Sequence, residues 1–170
     1  MGAPERARGT ASRALFLVAL PLTLGVVAYA AWRSDDVRIV SWLTRLSPGA
    51  VQSARSGGAA LGVPRVIVGI VPDLAWAFAF GAALALVWRG RAGRQRTAWI
   101  AAGGGVALAC ELGQAWGLVP GTFDPLDLLA IAVGYVAGVA LSGRGTARPP
   151  TPAPTPALSR APGASPRTPR

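Results

Sequence analysis

The chain has 170 residues, of which 52% are hydrophobic and only 14% charged, against roughly 25% charged in ordinary soluble domains. Its formal net charge is +10, carried by 17 Arg and no Lys. With a single Cys, Cys110, and no His, an intrachain disulfide, a Cys/His zinc site and a His-dependent nucleophilic triad are all excluded. No other metal or cofactor signature is present. The Arg residues sit at the edges of apolar blocks and towards the C-terminus. That distribution follows the positive-inside rule and gives no nucleic-acid-binding face.

Residues 1–13 are polar and basic, with Arg6, Arg8 and Arg13. The first apolar block, 14–32, is long enough to span a bilayer, which takes about 20 residues. Pro21 and Gly25 fall inside it, as membrane helices tolerate. A second reading stays open: a basic start, an apolar core and Ala28-Tyr29-Ala30 also fit a cleavable signal peptide. Residues 33–64 read as a connecting region. Val37, Ile39, Val40, Trp42, Leu43 and Leu46 within it fit either a short interfacial helix or a loop, ended by a turn at Ser47-Pro48-Gly49.

The second block, 66–88, contains Pro72-Asp73, a pair suited to a helix start, so regular helix is expected from about Pro72. Arg89, Arg91, Arg94 and Arg96 then crowd one short loop and place it in the cytoplasm. The third block spans 97–118 and the fourth 126–142. The stretch 119–125 between them has no Arg and reads as an outside loop. Residues 143–170, rich in Pro, Thr, Ala and Arg, read as a disordered cytoplasmic tail. The expected architecture is all-α: a polytopic membrane protein with four transmembrane helices in a small bundle. Both termini are expected inside, in a bacterial-type plasma membrane.

This topology gathers four of the seven acidic residues at the outer end of three helices: Asp73, Glu111, Asp124 and Asp127. A Glu inside a membrane helix costs about 2.5–3.5 kcal/mol on the insertion scale and marks a functional site by default. Seven residues before Leu118, Glu111 is expected about 10 Å below the outer end of its helix. It shares a face with Gly104, Ala107, Gln114 and Ala115. Asp127 shares one with Gly134 and Gly138, and Asp73 with Ala77 and Gly81. Small residues mark faces where membrane helices pack closely. The candidate pocket is Asp73, Trp76, Glu111, Gln114, Asp124 and Asp127, with Gly134 and Gly138 as packing positions. Structural readings stand beside it. Asp124 before Pro125 suits an N-cap, Asp127 completes a cap-like pattern, and Glu111 has Gln114 or Trp76 as hydrogen-bond partners. Trp88, Trp99 and Trp116 read as interfacial anchors, Cys110 as a packing residue.

Glu111-x-x-Gln114, Pro120-Gly121, Asp124-x-x-Asp127-Leu-Leu and the later Gly134 and Gly138 resemble the VanZ-like family of small multi-helix membrane proteins. The resemblance covers roughly residues 72–142. Thr122 stands where that family usually has Arg, and Ile131 where it often has Asn. The resemblance implies a cell-envelope role connected with resistance to glycopeptide antibiotics. Three functions follow: a non-catalytic binder of a polar or cationic envelope or antibiotic ligand; an intramembrane enzyme on a lipid headgroup using Glu111 and Asp127; and a proton- or cation-coupled transporter, which would need oligomers. The first has the most support, because no nucleophile accompanies the acids.

Overall fold

The computed structural model describes the backbone of residues 3–35, 38–119 and 122–143, and side chains from Gly9 onward. The expectations for the tail after residue 143 and for Pro120-Gly121 lie outside the described residues. Among those described, every regular element is helical. Three helices are long and apolar enough to cross a membrane: Gly9–Trp32, Arg65–Val87 and Pro125–Gly143.

The first rod consists of α1 (Ala3–Ala14), one π-helical turn (Leu15–Ala19) and α2 (Leu20–Trp32). The expected boundary at residue 14 is absent. Ala and Arg are strong helix formers, so the basic start joins the helix. The π-turn sits immediately before Pro21, and the Leu20 N–H bonds back to the Leu15 carbonyl. A proline ring crowds the carbonyl four residues back and offers it no N–H; the wider turn takes up that mismatch.

The connecting region is two helices, α3 (Arg38–Leu46) and α4 (Pro48–Leu61). The turn expected at Ser47-Pro48-Gly49 is corrected: Pro48 opens α4, where its missing N–H breaks no bond. Gly62 ends α4 in the left-handed conformation, φ +58°. Arg55 on α4 grips Asp35 with both terminal nitrogens, Nη1–Oδ2 at 3.1 Å and Nη2–Oδ1 at 2.8 Å. It also donates to the Arg33 carbonyl at 3.4 Å. This fork ties α4 to the chain just beyond α2.

Helix α5 (Arg65–Val87) runs unbroken through Pro72, so the start expected there is corrected. Pro72 is buried, and α2 passes it closely at Gly25, whose added Cβ would lie 3.5 Å from the Ala75 Cβ. Helix α6 (Arg94–Ala115) stops short of the expected residue 118. Gly117, at φ +69°, donates to the Gln114 carbonyl, and Leu118 to that of Gly113, a Schellman ending. Glu111 is thus four residues from the helix end, about 6 Å at ~1.5 Å per residue.

Helix α7 (Pro125–Gly143) packs along α5 more extensively than any other helix pair. A Cβ on Gly134 would strike the Leu74 carbonyl, one on Gly138 the Phe78 carbonyl, and one on Gly81 the Tyr135 carbonyl. The paired positions advance together, so the two helices run parallel with backbones in direct contact, as small residues permit. Helix α6 returns against both. Tyr135 donates to the Ile100 carbonyl, and its ring lies beside Gly103 and Gly104. The core joins Ala77, Ala107, Ile131 and Tyr135.

Replacing Gly138 by Ala should force α5 and α7 apart and destabilise the bundle by about 1–3 kcal/mol, the usual cost of overpacking. Gly143→Ala, whose Cβ meets nothing within 4 Å, should leave thermal unfolding in detergent unchanged. A second test concerns Asp35. The hydrogen bond from Arg55 holds its carboxyl below the ordinary carboxylate range, helped by the charge of Arg55 and by Thr44. A carboxyl with a depressed folded value stabilises above its unfolded value, about 3.9, and loses that contribution as pH falls through the folded one. Hydrogen exchange in α4 should therefore accelerate below about pH 4 in the native protein. Asp35→Asn should already show the faster exchange at neutral pH.

Candidate functional site

Each acidic residue reaches its place by a local rule. Asp124 caps α7: its Oδ1 accepts from the Leu126 N–H at 2.8 Å, and its carbonyl accepts from Asp127 and Leu128. One turn on, Asp127 is half-buried and continues the face carrying Gly134 and Gly138. Asp73 follows Pro72 on α5, half-buried on the face of Ala77 and Gly81. Glu111 ends a stripe of Gly103 and Ala107 on α6 and is 8% exposed.

These residues meet at one end of the bundle. Glu111 lies within electrostatic reach of Asp127, Asp73 and Asp124, and the Asp124 backbone amide faces its carboxylate. Asp73 and Asp127 lie within reach of each other. Trp76 donates from Nε1 to Asp73 Oδ1 at 3.1 Å. It is therefore the partner of Asp73, which corrects the expectation that it serves Glu111. Gln114 is half-buried one turn beyond Glu111 but makes no hydrogen bond to it among the described residues. The buried Oε2 of Glu111 has no hydrogen-bond partner. A buried polar atom left unmatched costs about 1–3 kcal/mol, more when charged, so this oxygen is the feature that most needs an explanation.

Sequence reasoning passed over two members of the cluster. Arg33, at the end of α2, acts electrostatically on both Asp73 and Asp127. Its guanidinium stands 5.6 Å from the Tyr29 ring centroid, and its buried Nε is unpartnered. Tyr29 lies within reach of Asp73, Asp127 and Glu111. The sequence reading did not connect Arg33 with the acidic residues. Its position just past the first apolar block, at the same end as Asp127, was the available clue. Thr122 is exposed, whereas Ile131 is 2% exposed in the core.

Beside the cluster runs an apolar groove of about 460 Å³, lined by Val18 and Leu22 of the first rod, Trp76 and Phe80 of α5, and Val106 and Cys110 of α6. Cys110, read from the sequence as a packing residue, is exposed there. A smaller recess of about 320 Å³ holds Gly25, Tyr29, Pro72 and Trp76. Trp76 lines both and donates to Asp73, so its indole joins these apolar walls to the acidic cluster. Among the described residues, no three His, Cys, Asp or Glu side chains are arranged to hold a metal.

No known protein family, no curated protein and no solved structure matches the chain.

Asp124→Ala should remove the α7 cap and cost about 1 kcal/mol, read as faster hydrogen exchange confined to the first turn of α7. Asp124→Ser should restore the protection, because a hydroxyl accepts the same N–H.

Proposed function

We propose that this protein is a non-catalytic binder of a membrane amphiphile. Its acidic cluster takes a polar or cationic headgroup, and the adjoining groove takes the apolar chain. The observation that carries this reading is Glu111: 8% exposed, with an unpartnered Oε2, beside Asp73 and Asp127. Three carboxylates against one nearby Arg leave room for an incoming cation. A cationic group would match the orphan oxygen and reduce repulsion among the acids. Trp76, lining the apolar groove and bonded to Asp73, supports a ligand that is charged at one end and apolar at the other.

In this reading the bundle spans a bacterial-type plasma membrane four times, with α6 as the additional span. The Arg-rich loop faces the cytoplasm and the acidic cluster the outside. The likeness to the VanZ-like family makes a lipid-linked envelope precursor or a glycopeptide-type antibiotic the ligand class to test, and resistance the phenotype. Arg33 supplies here the cation that the family usually carries at the position of Thr122.

Binding of an alkylammonium amphiphile to the purified full chain in maltoside detergent, followed by tryptophan fluorescence, tests the proposal. An alkyl sulfate of equal chain length is the comparison. The native protein should prefer the cation at least tenfold, about 1.4 kcal/mol. Glu111→Gln should insert and fold normally but lose that preference. Equal affinity for both amphiphiles, or an unchanged preference in Glu111→Gln, would contradict the proposal.

A further inference from the structure

The opposite end of the bundle carries a second recess, of reversed charge. Residues 88–93 connect α5 to α6 and, with the ends of α5 and α7, enclose about 460 Å³. Arg89, Arg91 and Arg96 line it, together with Gly93 and Ser142. The sequence holds no Asp or Glu between Asp73 and Glu111, so no acid within that stretch offsets Arg89 and Arg91 of the loop or Arg94 and Arg96 at the start of α6. Among the described residues the one salt bridge is Arg55–Asp35, at the other end.

Two further observations point to an anion. Ser142 is 1% exposed and its Oγ has no hydrogen-bond partner. A serine in a helix ordinarily bonds a carbonyl of the preceding turn; this hydroxyl remains an uncommitted donor in the recess wall. Helix α6 begins at the rim with neither a side-chain cap nor an acidic residue in its first turn. Its first N–H groups and the positive end of its dipole are therefore open to an anion. Gly93 holds φ +120°, a conformation that side chains rarely adopt, and a Cβ there would meet nothing within 4 Å. The glycine is needed for the path of the loop, not for space. On the same end, Trp88 stacks on Trp99 at 6.4 Å between centroids, with the Arg91 guanidinium 5.7 Å from the Trp88 ring. Paired tryptophans beside arginines are typical of headgroup depth in a membrane.

We propose that this recess binds a phosphate group. The arginines supply charge and paired N–H donors, Ser142 supplies a hydroxyl, and the start of α6 supplies backbone N–H groups. The same chemistry is offered by the phosphodiester of an anionic phospholipid and by free phosphate. The site is independent of the acidic cluster and stands or falls without it.

The full chain in maltoside detergent and phosphate-free buffer is titrated separately with phosphatidylglycerol and with inorganic phosphate. Native mass spectrometry counts bound molecules, and tryptophan fluorescence reports affinity. At least one probe should bind saturably, one per chain. Replacing Arg89 and Arg96 together by Gln should weaken it at least tenfold, whereas Arg45→Gln should leave it unchanged. Retention of phosphatidylglycerol against excess inorganic phosphate assigns the site to lipid; competitive displacement assigns it to free phosphate. Ser142→Ala separates binding from folding. It should weaken binding severalfold while leaving the melting temperature unchanged or higher, because the hydroxyl it removes is unpartnered. Absence of saturable binding by either probe, equal loss in Arg45→Gln, or a lowered melting temperature with unchanged binding in Ser142→Ala would overturn the proposal.

Discussion

The fold depends on one approach: the backbones of α5 and α7 touch. Gly81, Gly134 and Gly138 each face a carbonyl of the opposite helix at a distance that admits no Cβ. Two parallel helices in such contact have a fixed register, since sliding either by one residue would bring a side chain against backbone. That register sets both ends of the molecule. At one end it brings Asp73 within reach of Asp127; at the other it sets Ser142 beside the end of α5. Tyr135, bonded to the Ile100 carbonyl, then draws α6 across both helices and delivers Glu111 to the acidic end.

The chemistry at the two ends is opposite. Carboxylates from three helices collect at one, and arginines with an unpartnered serine at the other. Between them lies a core built largely of Ala and Gly around Ile131 and Tyr135. Such a core has little volume to adjust, so the ends are rigidly spaced and the polar groups cannot readily relax away from one another. This gives physical content to two of the three orphan atoms among the described residues, Glu111 Oε2 and Ser142 Oγ, the third being Arg33 Nε. Each is buried because helix packing places it, with no side chain nearby to match it.

Much of this was readable from the sequence, for identifiable reasons. Block length and composition marked four spans, three of which are helices long and apolar enough to cross a membrane. Helical spacing placed Ala107 with Glu111, and Gly134 and Gly138 with Asp127, on inward faces, because a period near 3.6 carries that information directly. Asp124 was recognisable as a cap from Pro125 alone. Proline misled at Pro48 and Pro72: the residue opens a helix or sits inside one according to what packs around it, which lies elsewhere in the chain. Helix α4 was missed because Ser, Gly and Arg give it no apolar stripe, and the Arg55–Asp35 fork tying it down joins residues far apart in sequence. Arg33 was missed for a related reason. Its role depends on α2 running antiparallel to α5, and no local pattern encodes that.

The central claim is that carboxylates from α5, α6 and α7 come within reach of one another at one end of the bundle. Site-directed cross-linking tests it most directly, in a Cys110→Ser background with paired cysteines replacing Asp73 and Glu111, or Glu111 and Asp127. The account predicts efficient coupling of both pairs by a short bifunctional thiol reagent, and none between position 127 and the exposed, outward position of Val106. Failure of both acidic pairs to couple in folded, membrane-inserted protein would contradict it.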